Sequence, residues 1–196
     1  MNKTLLCLCL AIVVFLGLVW TGSTYNALVR LDETVIANWA QVENQYKRRL
    51  DLIPNLVETV KGYVAHEKET LAQVVALRSA AQTAAKASDL LMNKDAMDNY
   101  IKAQLALSQG LGRLMVIVER YPDLKANEGF LALQSQLEGT ENRIAVERRN
   151  YINAVREYNT RTRMFPATMI ASMFGFEKKQ TFDLPEEVGV SPKVNF

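Results

Sequence analysis

The stretch DLIPNLVETV, residues Asp51 to Val60, decides how this chain folds. Its apolar residues recur in steps of three and four, which is the pattern of a helix with one buried stripe. Pro54 stands inside the stretch, and a proline within a helix removes one backbone hydrogen bond and bends or breaks the helix. The fold therefore depends on whether Pro54 kinks one long helix or separates two helices.

The apolar stripe continues on both sides of Pro54 without a change of phase. It consists of Leu28, Leu31, Val35, Trp39, Val42, Tyr46, Leu50, Ile53, Val57, Val60 and Val64. A turn usually resets the phase, so this continuity favours a helix kinked near Leu50, whose carbonyl oxygen loses its donor at Pro54. This helical unit would continue to about Lys86. The alternative is that Asp51 caps a new helix with Pro54 in its first turn, which would produce two antiparallel helices.

Two further helical patterns follow, from about Lys94 to Arg120 and from about Glu128 to Met164. Pro122 ends the first of them, and Gly112 is expected to permit close helix packing there. The sequence predicts an all-α fold, an elongated antiparallel helical bundle with an N-terminal transmembrane helix. The bundle would contain three long helices and would be four-helix-like, since the first helix is kinked or broken at Pro54.

The segment from Thr4 to Val29 carries no charged residue, and its first part is almost wholly apolar. With Trp20 and Tyr25 at interfacial positions, it has the length and composition of a single membrane span. A cleaved signal peptide is the alternative, because small residues follow Trp20. We expect residues 1–25 to form an anchor, residues 26–176 a helical bundle and residues 177–196 an extended tail.

The bundle pattern ends in MFPATMIASMFGF, from Met164 to Phe176, which is rich in methionine and phenylalanine. Flexible apolar surfaces of this kind bind partners or enter the surface of a bilayer. The alternative is a segment that folds back and caps the end of the bundle. The candidate partner or membrane surface consists of Phe165, Met169, Met173, Phe174 and Phe176.

Charged residues near Pro54 suggest a polar layer across the bundle. The apolar stripe of the third helix is interrupted between Leu137 and Tyr151, and polar residues border the first helix near Pro54. Such residues can fix the register of packed helices, and the alternative is a solvated helix face with ordinary i,i+4 pairs, which the sequence slightly favours. The candidate layer consists of Arg48, Asp51, Asn55, Glu58, Glu141 and Arg148.

Composition and motifs disfavour catalysis and nucleic-acid binding. The net charge of +2 comes from 23 basic and 21 acidic residues spread over 196 residues, which leaves no domain-wide basic footprint. His66 is the single histidine, and HEKET has Thr70 where the zinc motif HExxH requires its second histidine. We therefore predict no catalytic residues, no metal site and no cofactor.

Five stretches of the chain closely resemble the LemA family. They are YNALV (25–29), KRRLDLIPNLVETVKGYVAHE (47–67), ERYPDLKAN (119–127), LEGTENRIAVERRNYINAVREYN (137–159) and FP...FGF (165–176). Ile152 departs from the family, whose members commonly carry Asn there. The resemblance implies a bacterial membrane protein with one N-terminal span and a four-helix-like bundle. It implies no settled biochemical activity, although some relatives act in magnetosome membrane formation.

These observations predict a non-enzymatic, membrane-anchored scaffold of the bacterial cell envelope. It would form homo-oligomers or bind other envelope proteins, and it would organise or remodel the membrane. The alternative is an accessory or regulatory subunit of a membrane protease or stress-response complex. We expect a single pass through the inner (cytoplasmic) membrane, with the bundle on the extracytoplasmic side, because Lys3 and the α-amino group precede the span.

Overall fold

The computed structural model describes residues 3–63, 67–86 and 90–181, with side chains for all of these except residues 3–6 and 9. This part of the chain is all-α, as predicted, and contains no strand. Its helices are α1 (Lys3–Lys61), α2 (Lys68–Ala84), α3 (Lys94–Val118), α4 (Pro122–Lys125), α5 (Glu128–Arg163) and α6 (Ala167–Phe174). The predicted stripe residue Val64 and the lone histidine His66 lie outside the described residues.

The first helix passes through Pro54 without a break. α1 has 59 residues, with Pro54 near its C-terminal end and Asp51 in its interior, so the favoured continuous helix is found and the alternative, in which Asp51 caps a new helix, is wrong. At 1.5 Å per residue, α1 is about 88 Å long. One helix therefore carries both the apolar segment and the stripe that packs in the bundle.

The prediction that one helical unit reaches Lys86 was also wrong. α1 ends at Lys61, Gly62 and Tyr63 lie in a turn, and α2 begins at Lys68. Glycine destabilises a helix and favours a turn, and here that preference outweighs the apolar periodicity. The bundle thus has four long helices, and the first break lies after Gly62 instead of at Pro54.

The carbonyl group that Pro54 leaves without a donor is satisfied by a neighbouring helix. The Arg78 Nε–H on α2 donates to the Leu50 carbonyl oxygen at 2.8 Å. Leu50 is buried, and a buried carbonyl without a partner would cost about 1–3 kcal/mol. Arg78 therefore compensates for the proline and ties α2 to α1 at the same time.

The helices pack in antiparallel pairs. α1 lies along α5 and α2 lies along α3. Contacts of Trp39 with Tyr151 and of Arg49 with Glu141 show that residue numbers rise along α1 as they fall along α5. The part of α1 near Ala27 is therefore beside the C-terminal end of α5.

Two apolar cores lie one above the other along the bundle. The distal core, farther from the N-terminus of α1, is largely aliphatic and includes Leu50, Ile53, Leu56, Val60, Leu71, Val74, Leu107, Leu114, Leu124, Phe130 and Leu137. The proximal core is rich in aromatic residues and includes Val35, Trp39, Val42, Tyr46, Met97, Tyr100, Ile144, Tyr151, Val155 and Tyr158. Each fully buried side chain of this kind stabilises the fold by about 1.5–3 kcal/mol before entropy is subtracted.

Close packing of α2 on α3 occurs at Gly110. A Cβ atom there would lie 2.6 Å from Leu77 Cδ1, whereas a Cβ atom at Gly112 would meet nothing within 4 Å. The sequence-based expectation that Gly112 provides this contact was therefore wrong by half a helical turn.

The role of Arg78 can be tested with a double-mutant cycle on the full-length protein in detergent. We expect Arg78→Ala to lower the free energy of unfolding by about 1–3 kcal/mol, because the buried Leu50 carbonyl loses its donor. In a Pro54→Ala background, the restored N–H of residue 54 supplies that donor, so Arg78→Ala should cost much less.

Unfolding by urea, followed by circular dichroism, gives these energies. The matched control is Arg113→Ala, at an exposed site on α3. Equal costs of Arg78→Ala in both backgrounds would contradict the proposed compensation.

Candidate functional site

A buried arginine separates the two cores. Arg49 is 1% exposed, and we call the group formed by Arg49, Gln104, Ser108 and Glu141 the Arg49 cluster. The Arg49 Nη1–H donates to Ser108 Oγ and to Glu141 Oε1, the latter at 2.5 Å. The Arg49 Nη2–H donates to the Gln104 side chain and, at 3.2 Å, to the Gln104 backbone carbonyl. The cluster therefore connects α1, α3 and α5 at one level.

Aromatic residues cover the proximal side of the cluster. The Arg49 guanidinium lies 5.1 Å from the centre of the Tyr46 ring, within cation–π range. Burial raises the pKa of Tyr46 above its ordinary value, and the positive charges of Arg148 and Arg49 oppose that shift. Tyr46 therefore stays protonated at physiological pH and acts as a neutral aromatic contact for the cation.

A groove about 520 Å³ in volume lies between α3 and α5 beside this cluster. Ser108 and Glu141 line its inner end, and Glu141 has a side chain 42% exposed. The buried arginine is therefore neutralised by a carboxylate that water can reach.

The residues predicted for the polar layer are only partly at this site. Glu141 belongs to the Arg49 cluster, and the half-buried Arg148 lies close enough to influence Tyr46. Arg48, Asp51, Asn55 and Glu58 are exposed on α1.

The central residues of the cluster stand at helical spacing from the buried apolar residues of their helices, and this spacing could have identified them from the sequence. Arg49 stands three residues after Tyr46 and four before Ile53, so it occupies a stripe position instead of a border position. Gln104 likewise stands three residues from both Ile101 and Leu107 on the inner face of α3.

A second candidate site is formed where α6 meets the start of the bundle. The rings of Phe174 and Phe176 lie 4.9 Å and 5.6 Å from the Tyr25 ring, measured between centroids. Ile170 and Ala171 pack with Leu28 of α1. α6 therefore lies beside the residues that directly follow the apolar run of α1.

The other face of α6 is apolar and exposed. Phe165, Met169, Met173 and Phe174 are 80%, 61%, 74% and 51% exposed, and we call these four residues the α6 outer face. Phe176, which was predicted for the same surface, is only partly exposed and packs inward. No residue of α6 is charged. A surface helix with several large exposed apolar side chains is typical of one covered by lipid or by a partner.

The apolar run of α1 extends away from the bundle. Side chains from Leu10 to Trp20 are exposed, and Thr24 is the first buried side chain among the described residues of α1. α1 is the one helix in the described ranges that is long and apolar enough to cross a membrane. The α6 outer face thus lies on the side of the bundle from which the candidate span emerges.

The segment after α6 turns back along α5. Gly175 has φ 74°, a left-handed conformation that favours glycine, and it ends α6. The Asn159 side chain exchanges two hydrogen bonds of 2.9 Å with the Lys179 backbone, and the Lys179 ammonium lies 2.7 Å from the Asp32 carboxylate. These contacts hold α6 against both α1 and α5. Residues 182–196 of the predicted tail lie outside the described residues.

Among the residues that the structure describes, no group of three or more histidine, cysteine, aspartate or glutamate side chains could hold a metal ion. Neither candidate site therefore offers a ligand set for a metal ion within those ranges.

Comparison with known proteins decides the family. The model of the LemA family matches residues 38–196. The chain belongs to the LemA family. The match begins within α1 and includes α2 to α6 in full, together with the Arg49 cluster.

Named relatives of this LemA-family chain include magnetosome proteins. Magnetosome protein MamQ 2 and magnetosome protein MamQ 1 of Paramagnetospirillum magneticum are each 28% identical over 174 residues, covering 81% of this chain and 64% of theirs. Protein LemA of Metamycoplasma hominis is 25% identical over 162 residues, covering 82% of this chain and 69% of its own. The chain spans just under two thirds of the length of the MamQ proteins. Together with the apolar run of α1, these relatives indicate a membrane-associated envelope protein.

The contribution of the Arg49 cluster to the stability of this LemA-family bundle can be tested by comparing the removal of one charged partner with the removal of both. We expect Glu141→Ala to lower the free energy of unfolding by about 2–4 kcal/mol, because it leaves the buried Arg49 cation without its counter-ion. Adding Arg49→Met to Glu141→Ala should restore most of that loss, since it removes the buried charge.

Thermal unfolding of each full-length variant in detergent, followed by circular dichroism, ranks the stabilities of the variants and of the unmodified protein. The control is Glu138→Ala, one turn away and exposed, which should change stability by no more than about 0.5 kcal/mol. If Glu141→Ala is no more destabilising than this control, the cluster contributes nothing to the fold.

Proposed function

We propose that this LemA-family protein is a non-enzymatic, membrane-anchored scaffold of the bacterial cell envelope that self-associates and organises the membrane. The observation that carries the proposal is the unbroken α1, which joins an exposed apolar run to the buried core of the bundle. In this proposal, residues 1–25 form a single span in the inner membrane and residues 26–176 form the extracytoplasmic bundle.

The α6 outer face supports a second attachment to the same bilayer. It lies beside Tyr25, at the level where a span of about 20 residues starting near Leu5 would leave the hydrocarbon region. Apolar helices at this level bury one face in the headgroup region. The span and α6 together would hold the bundle at two points and prevent free rotation about the span.

Confinement to a membrane makes weak lateral contacts sufficient for assembly. Anchored subunits share a thin layer and one orientation, which raises their effective concentration. Exposed apolar residues on the bundle, such as Val116, Val146 and Val75, offer contact points at different heights. A scaffold assembled in this way needs no single large interface.

The proposed membrane contact of α6 predicts that its outer face lies in a lipid environment. A spin label at Met173→Cys, with Cys7 and Cys9 replaced by alanine, should be more accessible to oxygen than to a water-soluble nickel complex in vesicles. The control label is at Arg143→Cys on α5, which is exposed and far along the helix from α6, and should show the opposite preference. A water-like environment at Met173 would contradict the second attachment point.

Self-association is tested by chemical cross-linking of the full-length protein in its native membranes, followed by sizing and mass spectrometry of the products. The scaffold predicts a ladder or a closed ring of the same chain. A single adduct with a different protein would instead support an accessory subunit of a membrane complex, and it would overturn self-association as the basis of function.

A further inference from the structure

A basic groove opens between α1 and α5 close to the α6 outer face. Its volume is about 670 Å³, and Ala27 of α1 and Met164 at the end of α5 both line it. Arg30, Arg156 and Arg161 also line it, and we call it the arginine groove. Three exposed arginine residues therefore line one cleft at the end of the bundle where α6 lies.

These cations are not neutralised by their neighbours. Among the residues that the structure describes, none of the three arginines forms an ion pair. Glu157 is the one acidic residue among those lining the groove, and Asp32, which follows Arg30 by two positions, is paired with Lys179. The groove thus carries an excess of positive charge and has donors available for an anion.

The remainder of the lining fits the apolar part of an amphipathic ligand. Ala27, Leu31 and Met164 contribute aliphatic and thioether surface beside the guanidinium groups. An inorganic anion would use the arginines and leave this surface exposed to water. A molecule with a phosphate and an adjoining hydrocarbon chain would use both.

The position of the groove points to the bilayer as the source of that ligand. Arg30 lies five residues beyond Tyr25, which is about 7.5 Å along a helix axis. The headgroup region on each side of a bilayer is about 5–8 Å thick, and arginine side chains extend along apolar surface to reach it. The groove is therefore at the level of the lipid phosphates if α1 crosses the membrane as proposed.

We propose that the arginine groove binds the phosphate of an anionic phospholipid from the bilayer that α1 crosses. Guanidinium groups bind phosphate oxygens through paired, charge-assisted hydrogen bonds, and three arginines line this groove. Lipids in the same bilayer are presented to the groove at high local concentration. The proposal rests on the membrane anchoring in the proposed function and adds a lipid preference to it.

The dipole of α5 offers a simpler explanation for the presence of arginines in the groove, but it applies to only one of the three. Arg161 lies in the last turn of α5, where a cation interacts favourably with the helix dipole. Arg156 is outside that turn and Arg30 is on another helix, so the dipole does not account for the presence of all three arginines in one groove.

The test is native mass spectrometry of the full-length protein, released from detergent containing equal amounts of phosphatidylglycerol and phosphatidylcholine. We expect the unmodified protein to retain phosphatidylglycerol preferentially. One arginine near an anionic lipid surface strengthens binding about fivefold, so the triple variant Arg30→Gln/Arg156→Gln/Arg161→Gln should reduce the preference by at least about tenfold.

The matched control removes the same charge elsewhere. Arg113→Gln/Arg143→Gln/Arg149→Gln changes three exposed arginines that do not line the groove, and it should keep the preference. Equal losses in the two triple variants would overturn a specific site, as would an unchanged preference in the groove variant. Displacement of the bound lipid by millimolar inorganic phosphate would show a free-phosphate site and would also overturn the proposal.

Two further measurements check that the groove variant is folded and distinguish the lipid site from self-association. Circular dichroism in detergent checks that the groove variant is folded, and Arg156→Gln alone replaces it if the triple variant is not. Cross-linking in native membranes is repeated on the groove variant. In the groove variant, lost lipid preference with an intact ladder supports the lipid site. In the unmodified protein, a lipid preference without any ladder would contradict the scaffold and leave the lipid site supported.

Discussion

The continuity of α1 through Pro54 is the constraint on which the rest of the structure depends. A break at Pro54 would separate the distal third of the bundle from the helix that carries the apolar run. The helix is kept whole because its stripe is buried on both sides of the proline and because Arg78 satisfies the Leu50 carbonyl. The proline thus marks the point where α2 is joined to α1 by a side-chain hydrogen bond instead of by apolar packing alone.

Polar and aromatic contacts then set the register of the bundle. The Arg49 cluster connects three helices between two cores of different character, and its geometry allows one axial alignment of α1, α3 and α5. Aliphatic side chains tolerate sliding better than a buried cation with defined acceptors, because a displaced cation loses its hydrogen bonds. The correct register places the end of α5 beside Ala27, where α6 and the arginine groove are formed.

Local sequence signals were sufficient to predict most of the fold. The predicted starts of α3 and α5 match the structure, because Asn93 and Asn127 cap these helices through hydrogen bonds to Ala96 and Phe130. The end of α1 was missed because the apolar stripe continues beyond Gly62. Arg78 was missed because its partner is a backbone carbonyl on another helix, which no pattern within α2 reveals. The predicted apolar surface at Met164–Phe176 could not be divided into buried and exposed faces before the packing of α6 on Leu28 was known.

Because α1 is one continuous helix from Lys3 to Lys61, the proposed membrane span in its N-terminal part would make the bundle a lever fixed to the bilayer. Spanning helices respond to a change in hydrocarbon thickness by changing their tilt. The part of α1 beyond Tyr25 is about 54 Å long, so a change in tilt of about 10° moves its far end sideways by about 9 Å. In this arrangement, a small difference in bilayer thickness would displace the far end of α1 by a distance comparable to the diameter of a helix. That displacement would change the contacts that the distal part of the bundle makes with neighbouring molecules.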